Sequence, residues 1–329
     1  MVMIKKIFFT VLIFAVIGEL LIRLDEGLGV MQESKIVKIE ASVTNTPEYE
    51  LVKENKIDTS DNSFRLMVIG DSYIHGGGID FSKNVSQQLK QQLLQHNKTY
   101  KNIYVLDVTK PSSNNFDNVQ AYYQFQKQFK PQVVVLGYNY NDNQGNLDKQ
   151  IKGGSIDEFK KRSASSSEKK SFISTLYDIV YKSRLVYYVM HNLHDEMKAH
   201  GIVMGNSAFS QMLKDYTQDR PDWVKSKELL KGMIDDARSN NIELVVLRFP
   251  EMNLLKYPNL FAGTDAVIEK FFTQENSTGR FINGTEIFKG ERSEDNILSK
   301  YDGHPNERAH KKMADYLFGV ITNDRDGFK

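Results

Sequence analysis

The sequence predicts an α/β protein built on a parallel sheet, and three observations carry that expectation. Short apolar runs recur at residues 64–69, 103–108, 133–136 and 242–247. Between them stand segments whose apolar residues fall at helical spacing, such as Val85, Leu89, Leu93 and Leu94. The run Val133-Val134-Val135-Leu136 is apolar throughout, as a strand covered on both faces has to be. Strands alternating with helices imply parallel order with helices on both sides, and sites in such folds lie at the carboxyl ends of the strands.

Taken in order, the chain opens with a segment unlike the rest. Lys5 and Lys6 precede an apolar run over 7–22, interrupted by Glu19 and closed by Arg23, Asp25 and Glu26. As a helix that run would span roughly 24 Å, somewhat short of a hydrocarbon core of about 30 Å. Snorkelling of the lysines and local thinning can absorb the difference. The basic flank favours an N-terminus in the cytoplasm and the remainder outside. We expect residues 1–26 to be a membrane anchor. A cleaved signal segment, with Val16 and Gly18 before the cut, is the competing expectation, and both place the domain outside the cytoplasm. Residues 27–63 read as a polar linker and 64–329 as the domain.

Within the domain, the first strand ends at Gly70 and a glycine-rich turn leads into the first helix. A second strand follows at 103–108, then a short helix at 122–129 stopped by Pro131, then the third strand. The alternation lapses over about 144–222, an expected helical insertion with a low-complexity Ser/Lys/Glu stretch at 160–170 and a helix over 172–197. It resumes with a helix at 229–237, a fourth strand at 242–247 and a last helix carrying Ala309, Met313, Leu317, Val320 and Ile321 on one face.

Composition removes several function classes. The chain has 329 residues, 40% of them hydrophobic, which suits one large domain with an insertion. A net charge of +1 lacks the basic excess of a nucleic-acid binder. Without cysteine there is no disulfide, no thiolate metal site and no cysteine nucleophile. No His/Asp/Glu cluster has metal-ligand spacing, and Gly76-Gly77-Gly78 lacks the Lys-Ser/Thr of a phosphate loop, so neither metal nor cofactor is expected.

Three segments combine residues able to carry chemistry. Gly70-Asp71-Ser72-Tyr73 follows the first strand and presents a serine at the sheet edge, its N–H near the start of a helix. Gly137-Tyr138-Asn139-Tyr140-Asn141-Asp142 follows the third strand and offers an asparagine NH₂ to a developing oxyanion. Asp302-Gly303-His304-Pro305-Asn306 precedes the last helix; a turn at Gly303 would let Asp302 reach and orient the His304 ring. His75, close to Ser72 in sequence, is a minor candidate. Each segment alone is also ordinary turn or capping chemistry.

Together, in this order and at these strand ends, the segments resemble the SGNH/GDSL hydrolase family over roughly residues 64–321. The resemblance implies a flavodoxin-like α/β/α sandwich and a serine esterase or acyltransferase mechanism. It assigns Ser72 as nucleophile, His304 as base and Asp302 as its support, with an oxyanion hole formed by the Ser72 N–H, Asn141 and a backbone N–H after the second strand. Three positions depart from the family pattern. Asn139 stands where the third block carries glycine, leaving Asn139 and Asn141 as alternative registers. Ser112, within Thr109-Lys110-Pro111-Ser112-Ser113, stands for the second block's glycine. The supporting aspartate is two residues before the histidine rather than three, where Tyr301 lies, a spacing shared with membrane-anchored acyltransferase relatives. The resemblance makes acylated carbohydrate of the cell surface the expected substrate, with a separate multi-span membrane protein as possible acyl donor. A binding or assembly module on the same scaffold is the alternative function class, since a fold alone does not imply activity.

Overall fold

The computed structural model describes residues 17–18, 46–146, 208–276, 279–299, 302–323 and 325–328. The expected anchor (apart from 17–18), the 160–170 stretch and the 172–197 helix lie outside the described residues. Among the described residues no helix is long and apolar enough to cross a membrane.

Five strands form the central sheet: β1 (Ser63–Ile69), β2 (Asn102–Asp107), β3 (Val133–Tyr138), β4 (Glu243–Arg248) and β5 (Arg280–Asn283). Their order is β2-β1-β3-β4-β5 and every pairing is parallel. This is the flavodoxin-like order, whose chain reversal lies between β1 and β3 and opens a crevice outside their carboxyl ends.

Side-chain alternation divides the apolar strands between two cores. Met67 and Ile69 of β1, Val134 and Leu136 of β3, and Leu244 and Val246 of β4 face one layer. Phe64, Leu66, Val68, Val133, Val135, Val245 and Leu247 face the other. Burying each such side chain stabilises the fold by about 1.5–3 kcal/mol. The first layer is covered by α1 (Pro47–Lys53), α4 (Asn115–Phe129), α5 (Ala208–Thr217), α6 (Pro221–Ser239) and α7 (Ala262–Glu275). The second is covered by α3 (Val85–His96) and α9 (Glu307–Thr322), whose Leu89, Leu93, Met313 and Leu317 are fully buried. Two four-residue helices complete the described chain: α2 (Ser72–His75) and α8 (Gly284–Ile287).

Several elements differ from expectation. α1 lies inside the expected linker; Thr46 caps it, Pro47 starts it, and Tyr49 and Val52 bury against the first core. α4 begins seven residues earlier than predicted, because Asn114 and Asp117 form a reciprocal capping box. β5 is an additional edge strand. A separate antiparallel pair, β6 (Ile297–Ser299) and β7 (Asp302–Pro305), lies outside the main sheet. The stretch 302–305, expected to turn at Gly303, is therefore extended.

Candidate active site

The crevice at the β1/β3 switch receives a residue from each predicted segment. After β1 the chain passes through Gly70, whose φ is +146°. A Cβ there would lie 2.7 Å from the Gly137 carbonyl oxygen and 2.6 Å from Ile74, so only glycine fits. Asp71 follows as helix cap, its Oδ1 accepting the Tyr73 N–H at 2.9 Å. Ser72 is the first residue of α2, where a helical N–H has no partner within the helix. The helix closes at Gly76, left-handed at φ +82°. Gly78, at φ +95°, then lies against the Leu298 side chain of β6. The glycine run thus shapes the turn and seats it on the strand pair.

That strand pair brings His304 to Ser72. Residues two apart on a strand face the same side, so Asp302 and His304 project together from β7. Asp302 Oδ1 lies 2.6 Å from His304 Nδ1 and also accepts the His304 N–H at 3.0 Å. His304 Nε2 is 3.0 Å from Ser72 Oγ. The consistent tautomer donates Nδ1–H to Asp302 and leaves Nε2 to accept the serine proton. Burial opposes a charge on His304, but the hydrogen bond and charge of Asp302, with the charges of Asp71 and Glu251, outweigh it and raise the pKa. The Tyr73 ring packs beside the imidazole at 5.0 Å between centroids.

The two asparagines after β3 differ in what they do. Asn139 is buried, and its amide oxygen accepts the Tyr140 N–H at 2.7 Å as the cap of a single 3₁₀ turn over Tyr140–Asn143. The Asn139 N–H in turn donates to Asp142 Oδ2 at 2.9 Å. Asn141 is exposed, and its Nδ2 points toward Asp71 Oδ2 at 3.5 Å, beside Ser72. Burial raises the pKa of Asp71 and, together with Asp71, that of Asp142. Ser112 lies in a turn at the same edge, tethered where Lys110 N–H donates to the Gly70 carbonyl at 2.9 Å. Its φ of +62° is the left-handed region glycine prefers, which costs a serine about 1–2 kcal/mol.

No family model matches this chain, and no curated protein matches it. Among solved structures it is similar to a lipase/acylhydrolase from Enterococcus faecalis, at 12% identity over 79% of this chain and 96% of that one, with a TM-score of 0.44. It is similar to a Clostridium thermocellum family 3 carbohydrate esterase at 15% identity, covering 79% and 96%, with a TM-score of 0.42. A psychrotrophic esterase from a Pseudoalteromonas species matches at 10% identity, covering 80% and 98%, with a TM-score of 0.42. The functional reading below rests on the geometry of the site.

Two buried polar groupings around the site had no counterpart in the sequence reading. Arg248, the last residue of β4 and fully buried, donates to Tyr140 Oη at 2.8 Å, to Asp265 Oδ2 and Thr285 Oγ1 at 2.7 Å each, and to Asn283. Tyr140 Oη in turn donates to Asp265 Oδ1 at 2.6 Å. This paired guanidinium clamps the turn that carries Asn141. On the other flank, His75 does not face Ser72; its Nδ1 is 2.9 Å from Thr109 Oγ1, in a network that includes Asp107, Asn84 and Ser86. The available sequence signal was a charged residue closing an apolar strand at its carboxyl end, at Asp107 and again at Arg248.

Proposed function

We propose that this protein is a serine-dependent ester hydrolase or O-acyltransferase working through an acyl-enzyme on Ser72. The observation that carries the reading is the hydrogen-bonded series Asp302–His304–Ser72, whose spacing suits a ring that donates Nδ1–H to Asp302 and accepts at Nε2. The resemblance in the three sequence segments and the crevice at the chain reversal support it.

The cycle follows from the geometry. His304 Nε2 takes the Ser72 proton as Oγ attacks the acyl carbonyl carbon. The carbonyl electron pair moves onto oxygen, and that oxyanion meets the N–H groups of Ser72 and Ser112 and the Asn141 amide. Asp302 stabilises the imidazolium and holds its ring. The imidazolium returns its proton to the departing alkoxide, which leaves the acyl group on Ser72. Water or an acceptor hydroxyl then attacks the acyl-enzyme and gives its proton to His304; the Ser72 Oγ–acyl bond breaks, His304 passes that proton to Oγ, and the acyl group leaves on the attacking oxygen. Water makes the protein an esterase; a sugar hydroxyl makes it an O-acyltransferase.

The apolar run at 7–22 behind Lys5 and Lys6 supports a working place at a membrane, with the domain outside the cytoplasm. There the substrate we favour is acylated cell-surface polysaccharide, and a multi-span membrane protein is the partner suited to delivering acyl groups. The test uses the full chain in detergent micelles with p-nitrophenyl acetate, with and without oligosaccharide acceptors. Release of p-nitrophenol that disappears in Ser72→Ala supports the acyl-enzyme. Acylated oligosaccharide then selects transferase. A folded protein with no turnover and no acyl adduct on Ser72 by mass spectrometry would refute the reading.

A further inference from the structure

The network behind the nucleophile crosses three segments. His75 closes the short helix that Ser72 opens. Thr109 leads into the turn that carries Ser112, and Asn84 and Ser86 lie at the start of α3. Every member is buried: His75 is 5% exposed, Asp107 1%, and Thr109, Asn84 and Ser86 0%. The Thr109 hydroxyl fixes the direction of the bonds on its side of the network, whereas the single Ser86 hydroxyl proton lies between Asn84 Oδ1 and Asp107 Oδ2. The Thr109 hydroxyl has one proton and gives it to Asp107 Oδ1 at 2.5 Å, so it accepts from His75 Nδ1–H at 2.9 Å. Asp107 Oδ1 also accepts the Thr109 N–H at 3.0 Å. Its Oδ2 accepts from Asn84 Nδ2 at 3.0 Å and lies against the Ser86 hydroxyl. Asn84 Nδ2 lies 3.1 Å from the His75 carbonyl as well, which closes the loop onto α2.

None of these groups takes part in the proposed cycle, yet a buried polar network this complete costs stability unless every member is satisfied. Its position says what it does. The turn over 110–113 is strained at Ser112, where φ is +62°, and its own internal bond runs from the Ser113 N–H to the Lys110 carbonyl at 3.1 Å. What ties it to the nucleophile is one bond from Lys110 to Gly70 and the His75–Thr109 link just before it. A left-handed serine persists only where its surroundings over-determine it.

We propose that the His75–Thr109–Asp107 network is a positioning device that sets the Ser112 N–H against Ser72, with Thr109 as the positioning residue at its centre. The proposal rests on the acyl-enzyme reading above and adds to it a reason for the left-handed turn. Thr109 acts through the backbone of the turn and touches no reacting atom. The effect of losing it falls on the transition state, where the oxyanion forms, rather than on ground-state binding.

The experiment compares Thr109→Val, Thr109→Ser and Asp107→Asn in the full chain. Thr109→Val keeps the shape and removes the hydroxyl. It is expected to lower kcat by about 10- to 100-fold with KM within about two-fold, since a misplacement near 1 Å costs rates of that order. Thr109→Ser restores the hydroxyl and should recover most of the loss; Asp107→Asn should fall between. Deuterium exchange over 108–113 should quicken in Thr109→Val while β1 stays protected, a readout that needs no turnover. A kcat unchanged in Thr109→Val, equal impairment in Thr109→Ser, or unchanged exchange over 108–113 would each overturn the proposal. An inactive wild type with quickened exchange in Thr109→Val would overturn the acyl-enzyme reading and leave the network's hold on the turn standing.

Discussion

Ser72 and His304 are held by different means. Ser72 follows β1, which is paired on both sides, is buried along its length and is wedged at Gly70 against Gly137. His304 sits on β7, which pairs only with the three-residue β6, and that pairing carries an irregularity between Ile297 and Ser299. Directed polar bonds hold this second unit in place. Asn306 Nδ2 donates to the carbonyls of Asp295 and Ile297 at 3.0 Å each, while its Oδ1 caps α9 through the Ala309 N–H at 3.1 Å. Apolar burial fixes Ser72 through many small contributions; His304 depends on these few hydrogen bonds and on Ile297, the residue of β6 that reaches the second core. The His304 side is therefore the side that one substitution displaces most easily.

The strongest way to break the comparison is at the atoms themselves. Ser72→Ala removes the nucleophile and should abolish ester turnover by at least ~10³-fold, with circular dichroism unchanged. Asp302→Asn should lower kcat by roughly 10³-fold or more, since the ring loses the partner that selects its tautomer. Its pH profile adds a second readout. The ring has to be neutral to take the serine proton, so kcat/KM falls as pH falls through the His304 pKa, which lies above the usual 6.5. Without the Asp302 charge that midpoint should move down; a midpoint that stays put would show that Asp302 does not act on the ring.

Smaller effects sharpen the contrast. Asn141→Ala should cost about 10²–10³ in kcat with KM little changed. Asn139→Ala should instead remove a cap worth about 1 kcal/mol and show first in the melting temperature. If the two phenotypes are exchanged, the alternative register is the working one. Asn306→Ala should slacken the β6–β7 pair, speeding amide exchange over 302–305 and lowering kcat, with β1 exchange unaffected. An effect on stability rather than turnover concerns His310 in α9, whose Nδ1 accepts the Val85 N–H at 3.2 Å. Burial takes its pKa down to about 3 from 6.5. Between those values the unfolded chain binds a proton that the folded one refuses, so stability falls as pH drops, by up to ~1.4 kcal/mol per pH unit from this ring. Urea titrations of His310→Gln should show that slope reduced by about one proton.

Strands β1 to β4 were legible because burial on both faces leaves continuous apolar runs. β5 was not, since an edge strand of four residues, Arg-Phe-Ile-Asn, has only Ile282 buried. α1 carried its cap and its Pro47, but with only two buried apolar residues it shows no sustained period. The spacing of Asp302 and His304 could be read as a motif, but its cause could not: polar residues around Gly303 suggest a turn, whereas the strand is tied down by Asn306, whose N–H and Nδ2 donate to the carbonyls of Asn296, Asp295 and Ile297. Asn141 could be separated from Asn139 only once the capping box was visible. The Thr109 and Arg248 networks were out of reach, because their partners are distant in the chain; His75 and Thr109 are 34 residues apart, and Arg248 and Tyr140 are 108.

Ser72 and His304 are separated by 232 positions. A ribosome adding about 5–20 residues each second emits Ser72 roughly 10–50 seconds before His304. On the proposed function, the serine is an ordinary alcohol through that interval, inert toward the esters around it. The proposed activity would thus be timed by synthesis and switched on by the late arrival of the β6–β7 pair. Nascent chains arrested before residue 297 should remain unlabelled by a fluorophosphonate, and released full-length chains should react; labelling of the shorter chains would show that another group activates Ser72.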